Sequence, residues 1–244
     1  MPELDFKIEY AAQKNVVEKN ALPVIIVAAG SASRMCGINK IFATICNVPL
    51  IVHTLRAFER SGYISRIIIV ARQEDILKIQ LITENYNITK VSDIVAGGKN
   101  RQESVKNGFS RLANGEESVL IHDGARPVVS DKIIKETVLA LKEHKSVACA
   151  VPSKDTVKRI DGNGIVCKTL NRDELVCVQT PQGVRVKEYR TALENTEFSA
   201  FTDDTSIMES IGEKTIIIPG DYHNIKITTP EDLIIAEHYL KGEE

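Results

Sequence analysis

From Val24 onward, short runs of unbroken apolar residues alternate with amphipathic stretches, and this rhythm restricts the fold more than any other feature of the sequence. The apolar runs are Val24–Ala29, Arg66–Ala71, Val91–Ala96, Val119–His122 and Val147–Val151. Each has the length of a strand, and none alternates strictly with polar residues as a strand with one wet face would. The stretches between them, near Pro49–Ser61, Asp75–Glu84, Arg101–Leu112 and Ser130–Glu143, have helical spacing. Continuously apolar strands separated by helices predict an α/β fold, a mainly parallel twisted sheet with helices on both faces. Ligands of such sheets bind beyond the carboxyl ends of the strands.

The rhythm breaks after Pro152. Asp155–Ile160 and Ile165–Leu170 are short strand candidates, and Asp161-Gly-Asn-Gly164 between them is a turn signal. They predict a β-hairpin arm over about 153–175 that projects from the sheet. A lone two-stranded hairpin is marginal in water, so a second subunit is the expected support. The pattern then resumes, with helices over Arg185–Glu194 and Asp203–Ser210, strands over Thr215–Ile218 and Asn224–Ile227, and a closing helix over Pro230–Leu240. Thr229 is a suitable N-cap for that helix, with Pro230 next and Glu231 and Asp232 in its first turn. Residues 1–21 form a polar appendage, and 22–242 one domain.

Composition narrows the function. A net charge of −2 disfavours a general nucleic-acid binder, so any anionic ligand needs a local cluster of cations. No apolar run approaches the ~20 residues that span a bilayer. The acidic N-terminus fits neither a secretory signal nor a transit peptide. Cys36, Cys46, Cys149, Cys167 and Cys177 form no Cys-x-x-Cys pair, which suits reduced thiols in cytoplasm acting as small buried hydrophobes.

Three polar motifs follow strands. The first is Val24-Ile-Ile-Val-Ala-Ala-Gly-Ser-Ala-Ser-Arg-Met35 with Lys40. Small residues at a strand end, with Arg34 and Lys40, suit a nucleoside triphosphate, because fixed cations stabilise charge developing on phosphoryl oxygens. The segment has neither the Walker A pattern nor three-glycine dinucleotide spacing. The second is Gly97-Gly-Lys-Asn-Arg-Gln-Glu-Ser104, where glycines let backbone approach a flat base, Arg101 can meet a phosphate, and Ser104 can bond a base or cap the helix. The third is His122-Asp-Gly-Ala-Arg-Pro127. Asp123 at a strand end suits Mg²⁺ bridging phosphates, Arg126 can reach a second anion, and His122 is structural. Thr156 and Lys158 on the arm, Arg172 after it and Lys226 within a predicted strand are further polar candidates. Asp203 and Asp204 read as helix caps.

In order, Ala28-Ala-Gly30 with Arg34-Met35 and Lys40, Gly97-Gly98 with Arg101-Gln102 and Ser104-Val105, His122–Pro127, Asp155-Thr156, Thr180-Pro-Gln182, Thr202-Asp-Asp204 and Asn224–Leu233 resemble the 2-C-methyl-D-erythritol 4-phosphate cytidylyltransferases of the non-mevalonate isoprenoid pathway. The resemblance runs from about Val24 to Leu240. It implies a Rossmann-like nucleotidyltransferase fold and the reaction of CTP with methylerythritol phosphate, with Mg²⁺, to give CDP-methylerythritol and pyrophosphate. It implies that Arg34 and Lys40 stabilise the transition state at the α-phosphate, and that Ala28, Ala29, Gly30, Gly98 and Ser104 line the cytidine pocket. Asp123 would sit near ribose, phosphates and Mg²⁺. Arg126, Thr156, Arg172 and Lys226 would hold the polyol phosphate, with Arg172 and Lys226 among the catalytic cations. The arm of this family crosses to a homodimer partner, so Thr156 and Arg172 would serve the neighbouring site.

The chain departs from the family pattern at Ala32, where a second glycine is usual, at Asn39, where proline often precedes the lysine, and at Ile41, where glutamine is usual. A ribitol 5-phosphate cytidylyltransferase is the nearest alternative, sharing fold and nucleotide motifs. A nicotinamide-dependent oxidoreductase lacks its fingerprint here, and Arg34 and Lys40 disfavour a non-catalytic nucleotide sensor.

Overall fold

The computed structural model describes residues 21–30, 39–195 and 201–242. Arg34, Ala32, Cys36 and nearly all of the predicted appendage lie outside the described residues.

Strand β1 (Leu22–Val27) leads into a 3-10 turn (Lys40–Phe42), then the two-residue strands β2 (Thr44–Ile45) and β3 (Val48–Pro49) and helix α1 (Leu50–Arg60). Cys46 and Asn47 both have positive φ, the geometry of a tight hairpin turn between β2 and β3. There follow β4 (Ile64–Ala71), α2 (Ile76–Asn85), β5 (Val91–Ala96), α3 (Arg101–Phe109), β6 (Ser118–Asp123), α4 (Asp131–Ala140) and β7 (Ser146–Pro152). The hairpin β8 (Lys158–Ile160) and β9 (Val166–Thr169) precedes β10 (Val176–Arg185), α5 (Val186–Asn195), α6 (Asp204–Ser210), β11 (Thr215–Pro219) and α7 (Pro230–Lys241).

Seven strands form one sheet in the order β11-β7-β10-β6-β1-β4-β5. The pairs β1–β4, β1–β6, β4–β5 and β7–β11 are parallel, and β10 runs antiparallel between β6 and β7. The predicted α/β class holds. Its physical origin is visible along β1 and β4, where successive residues feed opposite faces. Val24, Ile26, Ile67 and Ile69 enter one core with Leu55 and Phe58 of α1 and Ile134 of α4. Ile25, Ile68 and Val70 enter the other with Phe109 of α3, Tyr189 of α5 and Ile207 of α6. Both faces are covered over Val24–Ile26 and Ile67–Ala71, which is why these stretches are apolar at every position.

Two expectations are corrected. Asn224–Ile227 is not a strand; it is an irregular segment fixed to the domain by Ile227 N–H donating to Ala125 C=O at 2.8 Å, with Ile227 buried beside Ile45, Leu50 and Ala236. Conversely β10, central in the sheet, was not foreseen. Its pairing with β7 shifts between Val178 and Gln182, which takes Pro181 out of the ladder. Gly183 in β10 admits α4, since a Cβ there would lie 2.5 Å from Leu141 Cδ1.

The arm is present as the β8–β9 ladder, and all its strand residues are exposed. Two cysteines also differ from the expectation of burial. Cys149 is buried, and burial pushes its thiol up to about 12, but Cys167 and Cys177 are exposed on and beside the arm.

Candidate functional site

The carboxyl ends of four parallel strands, β1, β4, β5 and β6, meet at one rim. The chain leaving them stays pinned to its neighbours. Ala28 N–H donates to Val70 C=O (2.7 Å), Gly97 N–H to Ala71 C=O (2.7 Å) and Gly124 N–H to Val27 C=O (2.9 Å). A cleft of about 680 Å³ opens there, lined by Ala28, Ala29, Gly30, Lys40, Arg72–Glu74, Gly97–Arg101, Ser104, Asp123 and Lys226. Eight of the residues singled out from sequence therefore converge: Ala28, Ala29, Gly30, Lys40, Gly98, Ser104, Asp123 and Lys226. Gly97 is required by this approach, because a Cβ on it would collide with the Cβ of Ala29 and lie 2.9 Å from Ser104 Oγ.

The turn before α3 is shaped by its own polar groups. Asn100 is the N-cap, its side chain accepting from Glu103 N–H at 2.8 Å, so Ser104 does not cap the helix. Ser104 Oγ instead accepts from Gly98 N–H (3.0 Å) and donates to Asn100 C=O (2.8 Å). This holds the backbone of Gly97 and Gly98 against one wall of the cleft. On the opposite side, Lys40 Nζ donates to Ile227 C=O at 2.8 Å.

Asp123 is the electrostatic centre. Its Oδ2 accepts from Lys226 Nζ (2.9 Å) and Arg126 Nε (3.3 Å), and Oδ1 lies 3.7 Å from Arg101 Nε. Burial opposes its ionisation, but Lys226, Arg101 and Arg126 outweigh burial and hold its pKa below the ordinary carboxylate range. Arg101 is anchored from behind by Asp204, whose carboxylate accepts from Arg101 Nη2 (2.6 Å) and from Tyr189 Oη (2.9 Å). Burial disfavours the Arg101 charge, and Asp204 and Asp123 overcome it. Arg101 Nη1 is buried with no hydrogen-bond partner, a donor left over at the wall of the cleft. Asp203 caps α6 as expected, accepting from Ser206 N–H at 3.1 Å. Asp204 does not cap; fully buried, it is the counter-ion of Arg101.

A second chamber of about 470 Å³ shares Arg101, Asp123 and Lys226 with the first. Arg126, Val178, Gln179, Thr180, Gln182, Thr202, Asp203, Thr205, Ser206, Glu209, Thr215 and Ile217 complete its walls. Arg126 is buried and donates Nη1 to Asn224 C=O at 2.7 Å, so it is part of the frame as well as of the wall. Thr156 and Arg172 line neither chamber; both are exposed at the arm, where Arg172 donates to Lys154 C=O at 3.2 Å.

His122 is structural, as expected. Its ring is fully buried, with Nε2 3.2 Å from Arg126 C=O and Nδ1 3.1 Å from Thr180 Oγ1, which itself accepts from Asp123 N–H. A carbonyl can only accept, so Nε2 carries the hydrogen and Nδ1 takes the Thr180 hydroxyl proton. Burial pushes its pKa down to about 3.

Among the described residues no three His, Cys, Asp or Glu side chains converge to hold a metal ion. Asp123 alone suits Mg²⁺ that arrives on a triphosphate, because Mg²⁺ takes one or two carboxylates and fills its remaining positions from phosphate and water. The roles that sequence reasoning missed are those of Asp204, read as a cap, and of Thr180, quoted only as part of a motif. No local signal marks either role, since Asp204 meets Arg101 across 103 residues and Thr180 meets Asp123 across 57.

The sequence profile of 2-C-methyl-D-erythritol 4-phosphate cytidylyltransferase matches residues 22–242. The protein of that name from Bacillus cereus is 43% identical over 221 residues, covering 89% of this chain and 97% of its own. The one from Halalkalibacterium halodurans is 42% identical over 226 residues, covering 91% and 97%. Among solved structures, the 4-diphosphocytidyl-2C-methyl-D-erythritol synthase of Anaerococcus prevotii aligns with a TM-score of 0.81 at 35% identity, covering 93% of this chain and 99% of its own. The Francisella tularensis cytidylyltransferase aligns with a TM-score of 0.74 at 29% identity, covering 90% and 99%.

Proposed function

The chain belongs to the 2-C-methyl-D-erythritol 4-phosphate cytidylyltransferase family, and we propose that it performs that reaction in the paired chambers at the sheet rim. CMP passes from CTP to methylerythritol phosphate, giving CDP-methylerythritol and pyrophosphate. The observation that carries the assignment of sites is the wall of Arg101, Asp123 and Lys226 shared by two chambers. A transfer between two phosphates needs the substrates side by side at one set of charged groups, with the acceptor oxygen within reach of the α-phosphorus. The names of the relatives favour methylerythritol phosphate over ribitol phosphate as acceptor.

The first chamber takes CTP. Ala28, Ala29, Gly30, Gly98 and Ser104 present backbone and small side chains to the cytidine, and Lys40 faces the triphosphate, with Arg34 assigned to the same task from sequence. The second chamber takes the polyol phosphate, held by Arg126 and Lys226. An oxygen of the acceptor phosphate attacks the α-phosphorus, the bond to the bridging oxygen breaks, and its electrons leave with pyrophosphate. The nucleophile is already an anion, so no general base is required. The protein contributes position and positive charge where negative charge grows. Asp123 would be the protein carboxylate that holds Mg²⁺ carried by CTP, and the ion would supply positive charge against the phosphates.

We assign residues 22–242 to one catalytic domain with 1–21 as an appendage, and the arm to a homodimer interface. Ile160, Ile165 and Val166 on the arm, Val176 and Val178 on β10, and Ile216 and Ile217 on β11 are exposed apolar residues that a partner would cover. Thr156 and Arg172 would then complete the partner's acceptor chamber. The absence, among the described residues, of a helix long and apolar enough to cross a membrane, and the free thiols at Cys46, Cys149, Cys167 and Cys177, support a cytoplasmic setting.

Lys40→Ala tests the reading. Pyrophosphate release should fall by about 10²–10³-fold while CTP affinity changes far less, because the contact strengthens in the transition state. Equal loss of both would make Lys40 a ground-state binding residue. Turnover with ribitol phosphate in preference to methylerythritol phosphate would refute the acceptor assignment.

A further inference from the structure

Asp75 sits where a carboxylate ordinarily caps a helix, at the end of the 3-10 turn Gln73–Asp75 and the start of α2, yet its side chain makes no capping bond. It is buried, 7% exposed, and its Oδ2 is used elsewhere. Asn39 Nδ2 donates to it at 2.7 Å across 36 residues, and Arg72 Nε donates to it at 2.7 Å. Asn39 is itself the N-cap of the 3-10 turn that presents Lys40, its Oδ1 3.4 Å from Ile41 N–H. Lys40 and Ile41 line one part of the nucleotide cleft and Arg72, Gln73 and Glu74 another. One buried oxygen therefore ties together two segments that border the same ligand. The start of the turn is restrained twice, at Asn39 by Asp75 and at Lys40 Nζ by Ile227 C=O.

We propose that Asp75 is a positioning residue for nucleotidyl transfer: it holds Asn39, and through it the Lys40 turn, at a fixed offset from Arg72 across the nucleotide cleft. The inference rests on the reading of Lys40 as the cation that acts on the α-phosphate. A charged acceptor shared by two donors is short and directional, which suits holding one turn against another. Groups supporting a reacting centre matter because a displacement of about 1 Å can cost on the order of 10²-fold in rate. Asn39 has φ −68°, a value that proline adopts without strain. Backbone restraint at this position is thus an alternative to the side-chain clasp, and that equivalence gives the test.

In the full-length enzyme, Asp75→Ala should lower kcat by roughly 10–100-fold with little change in KM for methylerythritol phosphate. Adding Asn39→Pro to Asp75→Ala should recover a large part of the loss, since the proline ring restores φ restraint without any carboxylate. A merely structural Asp75 would give a lower melting temperature that the proline does not repair together with kcat. Should Asp75→Ala fail to fold, Asp75→Leu, which is close to aspartate in size but has no acceptor oxygen, takes its place in the same cycle. Wild-type kcat in the Asp75 variant, or a loss that Asn39→Pro leaves untouched, overturns the proposal. Lys40→Ala separates the two layers. If it retains turnover, the reading of Lys40 fails. If it abolishes turnover while the Asp75 variant is unaffected, only the positioning role fails.

Discussion

Acidification should destabilise this protein well before its carboxylates protonate, and His122 is the reason. The buried ring lies 4.8 Å from that of Phe58 and between Thr180 Oγ1 and Arg126 C=O, with Arg126 and Lys226 adding positive charge nearby. Its pKa is pushed from the model-peptide value of 6.5 to about 3. The folded state refuses a proton that the unfolded chain accepts, so stability is complete above the unfolded pKa and falls as pH drops toward the folded one. Between pH 7.5 and 4.5 the linkage relation gives a loss of about 3 kcal/mol from this one group. Asp123 is depressed too, but its contribution begins to be lost only below an unfolded carboxylate pKa of about 3.9, outside this window. His53 is lowered in the same direction, chiefly by burial, and adds to the slope in any variant that keeps it. The measurement is urea unfolding of wild type and His122→Asn at both pH values. The variant will be less stable at pH 7.5, because a buried ring is replaced by a smaller group, but that offset cancels when each protein is compared with itself. The wild type should lose about 3 kcal/mol more than the variant across the window. A difference below about 1 kcal/mol would falsify the claim that His122 stays neutral in the fold.

Arg101→Met leaves the carboxylate of Asp204 buried without its 2.6 Å partner, and should cost about 3–5 kcal/mol. Arg101→Met with Asp204→Asn should be appreciably more stable than the single variant, as read by denaturant midpoints; equal loss in both would show that Arg101 does not serve to neutralise Asp204. On the arm, Ile160→Glu with Val166→Glu should leave the domain folded by circular dichroism but convert a dimer to monomer in sedimentation, and raise KM for the acceptor. A variant that remains dimeric would remove the arm from the interface.

The parts of this fold legible in the sequence are those where one physical requirement acts locally. Strands covered on both faces carry long apolar runs, so β1, β4, β6 and β7 announce themselves, and the edge strand β5 shows by its Ile94-Val-Ala96 end. Glycine at the approach of β5 to the cleft and aspartate at the end of β6 likewise report local needs. Strand β10 hides because Gln179, Pro181, Gln182 and Gly183 answer to several masters at once. Gln182 bonds the start of α6 through Asp204 N–H at 2.9 Å, Gly183 makes room for α4, and Pro181 lies at the register shift. The opposite error at Asn224–Ile227 has the same origin. Its apolar alternation reflects burial of Ile227 under α7 and side-chain bonding of Asn224 to Thr180 C=O at 2.9 Å, not pairing in a sheet. The exposure of Cys167 and Cys177 follows from the arm, whose residues have no core of their own to enter.

The three cations around Asp123 are not equivalent, and their burial divides their labour. Arg126 is nearly buried and bonded to both Asp123 and Asn224 C=O, and Arg101 is locked to the fully buried Asp204. Moving either toward a ligand would orphan a buried acceptor, a cost of several kcal/mol. Lys226 has a side chain 40% exposed and stands on an irregular segment, not on a strand. Its end of the pair with Asp123 is reached by water, so a phosphate oxygen can approach Lys226 without passing through the core. Lys226 is therefore the cation that can follow a phosphate, whereas the two arginines form the fixed part of the partition. The carboxylate that draws them together lets a chain of net charge −2 keep three positive groups at one place before any anion arrives. Without Asp123, repulsion from the two anchored arginines would drive Lys226 away from the wall between the two chambers.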